Sequence, residues 1–186
     1  MDKKQKLLDA ALRLFVEFGF YDTPTSRIAK EAGIANGTLF YFFPTKEDLI
    51  KSLYIQIKSE MSAYIYSQID AESSLKSIMK TYYSAALNWS LQHQLDFQFM
   101  GQFNSSPYIK TIASSEQEKY SRPVLELIET GIRGNIFKSI DIEIIHLLII
   151  AHTMSINQYL VTRNLASEEQ QQVISETFEL LWDMIT

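Results

Sequence analysis

The side chains best suited to recognising a partner lie in one short run, NGTLFYF at residues 36–42. Asn36 carries an amide that can pair in two-point fashion with adenine, and Tyr41 a ring that can pack on a thymine methyl. Gly37 lets a partner's backbone come close. Lys46 follows in what reads as the first turn of a helix, a poor place for a cation because it faces the positive end of the helix dipole. A phosphate partner would explain it. Other chemistries are thinly represented. Glu143 and His146 stand at i, i+3, half of a di-iron bundle motif, but no second Glu-x-x-His exists. His93, His146 and His152 have no metal-ligand spacing. Neither a Gly-rich phosphate loop nor an activated-nucleophile signature is present. The sequence therefore assigns no catalytic residue, no metal and no cofactor.

Residues 36–42 need elements to present them, and the surrounding pattern supplies two short helices hinged on Gly33. The first spans 24–31: Thr23 can cap it, Pro24 suits the first helical position, and Ile28 with Ala29 faces inward. Gly33 can take the left-handed conformation that ends one helix and turns the chain. The second spans 35–42. Two helices on a tight Gly turn make a helix-turn-helix, whose second helix fits the DNA major groove. Phe40 and Phe43 read as core before contact. Tyr41 reads as outward, because three consecutive aromatics on a short helix cannot all be buried. Thr25 and Ser26, in the first turn of the first helix, can touch backbone phosphate or water.

A helix over 3–18 precedes the motif, with Leu7, Leu8, Ala11, Leu14, Phe15 and Phe18 at helical spacing and Gly19 as its stop. After Pro44, Thr45 can cap a fourth helix with Asp48 three residues on. Leu49, Leu53, Ile57, Met61 and Tyr64 stripe that helix. Helical patterns continue over 74–93, 95–103, 114–133, 141–163 and 167–185, with breaks at Ser105-Ser106-Pro107, between Gly131 and Gly134, and around Asn164. No strand alternation persists, and there is no repeat or low-complexity tract.

Composition agrees with long helices around a sizeable core: 46% hydrophobic, 12% aromatic, only 6 Gly and 4 Pro. The absence of cysteine excludes disulfides and Cys-ligated zinc and agrees with a cytoplasmic location. The first residues lack the apolar run and cleavage site of a signal peptide. Residues 144–162 carry no Asp, Glu, Lys or Arg and are long enough to cross a bilayer. His146, His152, Thr153, Ser155, Asn157 and Gln158 are too many polar groups for a lone span in lipid, so a helix buried by protein on most sides is expected, and no membrane partner. Net charge is −5, but residues 1–51 hold 8 Lys/Arg against 7 Asp/Glu while the remainder holds 9 against 15. The acid lies mostly outside the motif, and DNA affinity must come from a few placed contacts plus dimerisation.

The run LLDAALRLFVEFGFYDTPTSRIAKEAGIANGTLFYFFPTKEDLI closely resembles the N-terminal domain of the TetR family of transcriptional regulators. The shared pattern includes A-A-x-x-L-F at Ala10 to Phe15, Gly19-Phe20, I-A-x-x-A-G at Ile28 to Gly33, and G-T-L-F-x-x-F-P-x-K-E at Gly37 to Glu47. The resemblance covers about the first 50 residues; the rest matches only in being helical with a terminal hairpin. It implies an all-α fold: a three-helix helix-turn-helix domain over 1–48, joined by helix 4 to a helical ligand-binding and dimerisation domain over 49–186. It further implies a homodimer reading an inverted repeat, with Asn36, Gly37 and Tyr41 at base edges and Thr38, Phe42 and Lys46 near phosphates; Thr25, Ser26 and Phe40 complete the DNA-facing set. The chain departs from the family at Ala35, where Ser or Thr often caps the second helix of the motif. Phe40 stands where Tyr is common, and Phe42 where a hydroxyl or imidazole is common. Two phosphate hydrogen bonds are thereby lost, and modest affinity per half-site is expected.

The resemblance also implies a small-molecule effector, most simply one that releases a repressor. An aromatic load suits a lipophilic or aromatic ligand, with Met61, Tyr64, Tyr82, Tyr83, Trp89, Phe97, Met100, Phe103 and Tyr108 as lining and His93 or His152 as polar handles. The terminal hairpin offers Ile142, Ile145, Leu148, Ile149, Ile156, Phe178, Leu181 and Trp182 as a dimer interface. An alternative keeps the helices and the dimer but gives up DNA: a helical adaptor that binds protein, suggested by the weak charge, Ala35 and the missing hydroxyls.

Overall fold

The computed structural model describes residues 2–70, 73–112, 114–163 and 165–186, with backbone alone at 114–118. Nine α-helices and no strand occur among these residues: α1 Lys3–Phe18, α2 Thr25–Glu31, α3 Asn36–Phe42, α4 Lys46–Ser67, α5 Leu75–Gln92, α6 Gln94–Asn104, α7 Ser114–Arg133, α8 Ile142–Arg163 and α9 Ser167–Ile185. A 3-10 turn, Pro107–Thr111, opens at the expected Ser-Ser-Pro break. The break expected around Asn164 lies outside the described residues. Gly131 proves to be inside α7, so the helix ends only at Arg133. A Cβ at Gly131 would collide with the Phe137 ring, so this glycine makes room for packing rather than ending the helix.

The helices gather into two compact units. One comprises Met1–Glu60 with His93–Ser114, the other Met61–Gln92 with Ser115–Thr186. The expected division at 48/49 is therefore corrected: most of α4 and all of α6 belong with the helix-turn-helix. The physical reason is aromatic packing that joins segments distant in sequence. Phe15 of α1 meets Phe20 at 5.3 Å, Phe20 meets Phe99 of α6 edge-on at 5.6 Å, and Phe103 of α6 stacks on Tyr54 of α4 at 4.0 Å. Gln102 of α6 donates to the Val16 carbonyl near the end of α1. Rings at such separations contribute about 0.5–1.5 kcal/mol each beyond the area they bury.

In the second unit α5, α8 and α9 pack against one another. Its core holds Met79, Tyr83, Val124, Ile128, Ile145, Ile149, Leu160, Ile174, Phe178 and Leu181, all buried. Asn157, buried in α8, donates to the Ser90 hydroxyl of α5 at 2.7 Å, and Thr153 donates to the Ile149 carbonyl. The expectation that α8 is buried on most sides fails. Only 28% of its most apolar stretch is buried within the chain, and Ile144, Leu147, Ile150 and Met154 are exposed. This helix has the length and hydropathy of a membrane span, yet it spends buried polar groups on protein partners.

Candidate nucleic-acid interface

The geometry of the site begins with the turn that precedes it. Gly19 ends α1 at φ 78°, and Thr23 is fully buried with its hydroxyl directed to the carbonyls of Gly19 (2.8 Å) and Leu14 (3.1 Å). Thr23 thus closes the end of α1 and does not cap α2. Pro24 takes the N-cap place, extended at ψ 148° and with no side-chain hydrogen bond, one residue before its expected position in the helix. Ile28 and Ala29 are buried as expected, and Gly33 turns the chain at φ 66°. The second helix of the motif, α3, starts after Ala35, which offers no cap bond. Leu39 and Phe43 anchor it in the core.

That anchoring decides which side of α3 faces outward. Asn36, Gly37, Phe40 and Tyr41 are exposed, Tyr41 at 82%, while Thr38 and Phe42 are half-buried. The core reading holds for Phe43 and fails for Phe40, which is 43% exposed. With Leu39 and Phe43 four apart on the inner stripe, Phe40 and Tyr41 must turn away from it. Tyr41 and Phe42 meet edge-on at 5.3 Å, and Phe42 leans on Phe43, so the outer aromatic is braced by the inner ones. A Cβ at Gly37 would meet nothing within 4 Å. The fold has no need of glycine there, and the open space is available to a partner.

The start of α4 adds the polar edge. The Thr45 hydroxyl accepts from the Asp48 amide at 3.1 Å, while the Asp48 carboxylate accepts from the Thr45 amide and hydroxyl at 3.1 and 2.7 Å. This reciprocal capping box fixes the first turn. Lys46 sits there half-buried; burial pushes its ammonium below the ordinary range, and Glu47 and Asp22 partly counter this. Thr25 is half-buried and Ser26 exposed at the start of α2. The sequence alone does not single out Tyr21, 77% exposed in the turn before α2, or Arg27, exposed on α2 with its guanidinium 3.8 Å from the Phe18 ring centre. Only the fold shows that a ring beneath Arg27 holds this cation in place.

The residues expected to hold a ligand are divided rather than gathered. His93, Phe97, Met100, Phe103 and Tyr108 belong to the first unit. There Met100 and Phe103 are buried, Tyr108 packs edge-on against Phe20, and His93 lies exposed 3.7 Å from Asp96. In the second unit Tyr83 and Trp89 are buried core. The Tyr83 hydroxyl is spent on His152 Nδ1 and on Thr177, each at 3.0 Å, and burial pushes the phenol up to about 12. Burial also lowers the pKa of His152. Met61, Tyr64 and Tyr82 do come together, around Ile65, Ala85 and Ala86.

The dimer set needs correction as well. Ile145, Ile149, Phe178 and Leu181 are buried in the chain's own core, and Ile142, Ile156 and Trp182 pack against it. Leu148 is half-buried. Because α8 is apolar around most of its circumference, periodicity could not tell its core side from its outer side. The outer side carries Ile144, Leu147 and Met154, with Leu180 and Met184 exposed on α9.

With this geometry in place, similarity to known proteins gives it a lineage. Residues 7–53 match the family of bacterial regulatory proteins, tetR family. A tetR family transcription regulator from Shewanella sp. PV-4 superposes with a TM-score of 0.92 at 30% identity, over 100% of this chain and 98% of that one. A second TetR family regulator, from Marinobacter aquaeolei VT8, shares the fold at a TM-score of 0.85 and 18% identity, covering 98% of this chain and 95% of its own. The HTH-type transcriptional regulator YhgD of Bacillus subtilis (strain 168) is 28% identical over 149 residues, 77% of this chain and 76% of that protein. The chain belongs to the TetR family of transcriptional regulators and binds DNA through its N-terminal helix-turn-helix.

Proposed function

We propose that this regulator is a repressor that binds an inverted-repeat operator as a homodimer and is released by a small lipophilic or aromatic effector. The observation that carries the reading is the outer face of α3. Asn36, Gly37 and Tyr41 stand exposed together on a helix anchored from behind by Leu39 and Phe43. A two-point pair from Asn36 contributes about 1–3 kcal/mol of discrimination at its base. Thr38, Phe42 and Lys46, with Thr25 and Ser26, hold the backbone, and Phe40 adds apolar surface. The near-neutral N-terminal region makes the second half-site essential to affinity.

Pairing of two chains is supported by the outer sides of α8 and α9, where Ile144, Leu147 and Met154 of the one and Leu180 and Met184 of the other are exposed apolar groups. A second copy covers such a surface with the same residues from each side. A DNA-reading chain without cysteine suits the reducing cytoplasm.

Effector binding is supported by Met61, Tyr64 and Tyr82, and by Tyr66 beside them on α4. The buried Tyr66 hydroxyl lies beside the Val124 backbone yet meets no group in hydrogen-bonding geometry among the described residues. Leaving a buried hydroxyl unpaired costs about 1–3 kcal/mol, which a ligand oxygen can recover. One continuous helix, α4, carries both Lys46 and these residues. A ligand that prefers one setting of α4 changes DNA affinity by its differential affinity for the two settings.

The test is selection from a random-duplex library at moderate salt with purified protein. Enrichment of an inverted repeat supports the proposal. A folded dimer that enriches nothing, with or without a panel of aromatic and acyl compounds, overturns it in favour of the adaptor alternative.

A further inference from the structure

A recess of about 210 Å³ opens in the second unit between the end of α4 and the middle of α5, sharing Tyr64 and Ala85 with the apolar cluster discussed above. Lys80, Thr81, Ser84 and Asn88 line it from α5, Tyr64 and Gln68 from the end of α4, and no carboxylate is among the lining residues. Its hydroxyls are not engaged in the way several others in the helices are. Ser90, Thr130, Thr153, Thr162 and Thr177 each return a hydrogen bond to a carbonyl of their own helix. Thr81, Ser84 and the Tyr64 phenol make no such bond and have no partner among the described residues.

The charge balance of the recess is as specific as its lining. Lys80 lies 3.3 Å from Glu179 of α9, but Glu179 is held more closely by Lys76, at 2.6 Å. One carboxylate between two ammonium groups leaves a net positive charge, and Lys80 keeps N–H donors to spend. The frame around it is fixed by other bonds: Gln171 of α9 donates to Asn88 at 2.8 Å, and the Lys80 ammonium sits 5.7 Å from the Phe178 ring centre.

From this arrangement we propose that the recess binds a small carboxylate that also carries a hydroxyl group. The carboxylate pairs with Lys80, the hydroxyl with Ser84, Thr81 or Asn88, and the carbon skeleton rests on Ala85 and the Tyr64 ring. A single uncompensated cation suits a monoanion. A phosphate dianion would leave a second charge without a partner in this lining. The volume is below the range of drug-sized pockets and admits a ligand about the size of one substituted ring. This site goes beyond the regulator reading and stands or falls by binding alone.

The experiment is calorimetric titration of the full chain with 4-hydroxybenzoate as probe, against neutral 4-hydroxybenzyl alcohol. Saturable binding of the acid is expected, about tenfold or more stronger than that of the alcohol. Lys80→Gln should weaken the acid about tenfold and leave the alcohol unchanged, because Glu179 retains Lys76 and the fold is kept. Ser84→Leu, which fills the recess, should remove both. Lys119→Gln makes the same charge change outside the lining and without touching the Glu179 pair, and should leave acid binding nearly intact. Absence of saturable binding to the folded wild-type chain overturns the proposal, as does an equal loss in Lys119→Gln and Lys80→Gln, which would mean diffuse charge rather than a site.

Discussion

Both α3 and α8 turn apolar side chains to solvent, and they do so in different ways. In α3 the exposed groups are few and mixed: an amide, a glycine and two rings on one turn and a half, with Leu39 and Phe43 buried behind them. In α8 the exposed groups are many and alike, with Ile144, Leu147, Ile150 and Met154 opposite a core side of the same residue types. The first pattern suits recognition, where each group meets a particular edge. The second suits association, where area rather than identity supplies the energy. Exposure alone does not distinguish a reading surface from a pairing surface; the chemical variety of what is exposed does.

The largest effect expected from breaking this contrast lies on α8 and α9. Leu147→Glu combined with Leu180→Glu places charge on the outer face while leaving the core untouched. Dimerisation should be lost, at a cost of at least about 2 kcal/mol per buried position. Sedimentation equilibrium checks this, and a double variant that still sediments as a dimer would move the interface elsewhere. Next comes Gly131→Ala, whose methyl would collide with the Phe137 ring. Overpacking of this kind costs about 1–3 kcal/mol, read as a lower denaturant midpoint with helix content retained.

Alkaline pH probes the core of the second unit. Burial pushes the Tyr66 and Tyr83 phenols up to about 12 and Tyr82 higher still. A phenol raised above its unfolded value of about 10 keeps its proton longer in the folded chain. Its contribution to stability is full below about pH 10 and is lost as pH rises toward the folded values. Urea midpoints should therefore fall over that window, together with the rise of phenolate absorbance. Midpoints that stay constant there would contradict the burial of these hydroxyls. The smallest effect on the fold belongs to Gly37→Ala. Open space at that position predicts unchanged or slightly higher stability, by up to about 1 kcal/mol, while DNA affinity falls because the methyl occupies the partner's space.

The same contrast explains what could be seen in the sequence. Helix bounds were legible because the breakers are local: Gly19, Gly33 and Pro44 act on their own neighbours, and the Thr45–Asp48 box formed as its spacing requires. The face of α3 was legible in part. Tyr41 could be placed outward by counting aromatics, but Phe40 could not, since its side depends on where Leu39 and Phe43 anchor the helix. Thr23 satisfies the end of α1 instead of starting α2, a choice between two partners that spacing leaves open. The outer side of α8 was not legible, because core side and outer side draw on the same residue types. Nor was the membership of α6 in the first unit, which rests on Phe99 and Phe103 meeting rings from the first 54 residues.

The central claim is that DNA is read from the outer face of α3, by residues other than those proposed to pair the chains. The most direct measurement is sedimentation velocity of the Tyr41→Ala variant with a labelled duplex carrying the selected inverted repeat. The account predicts an intact dimer and a weakening of DNA binding by about 1–3 kcal/mol per half-site, enough to remove the bound boundary at concentrations that saturate the wild type. A bound boundary as large as that of the wild type would contradict it.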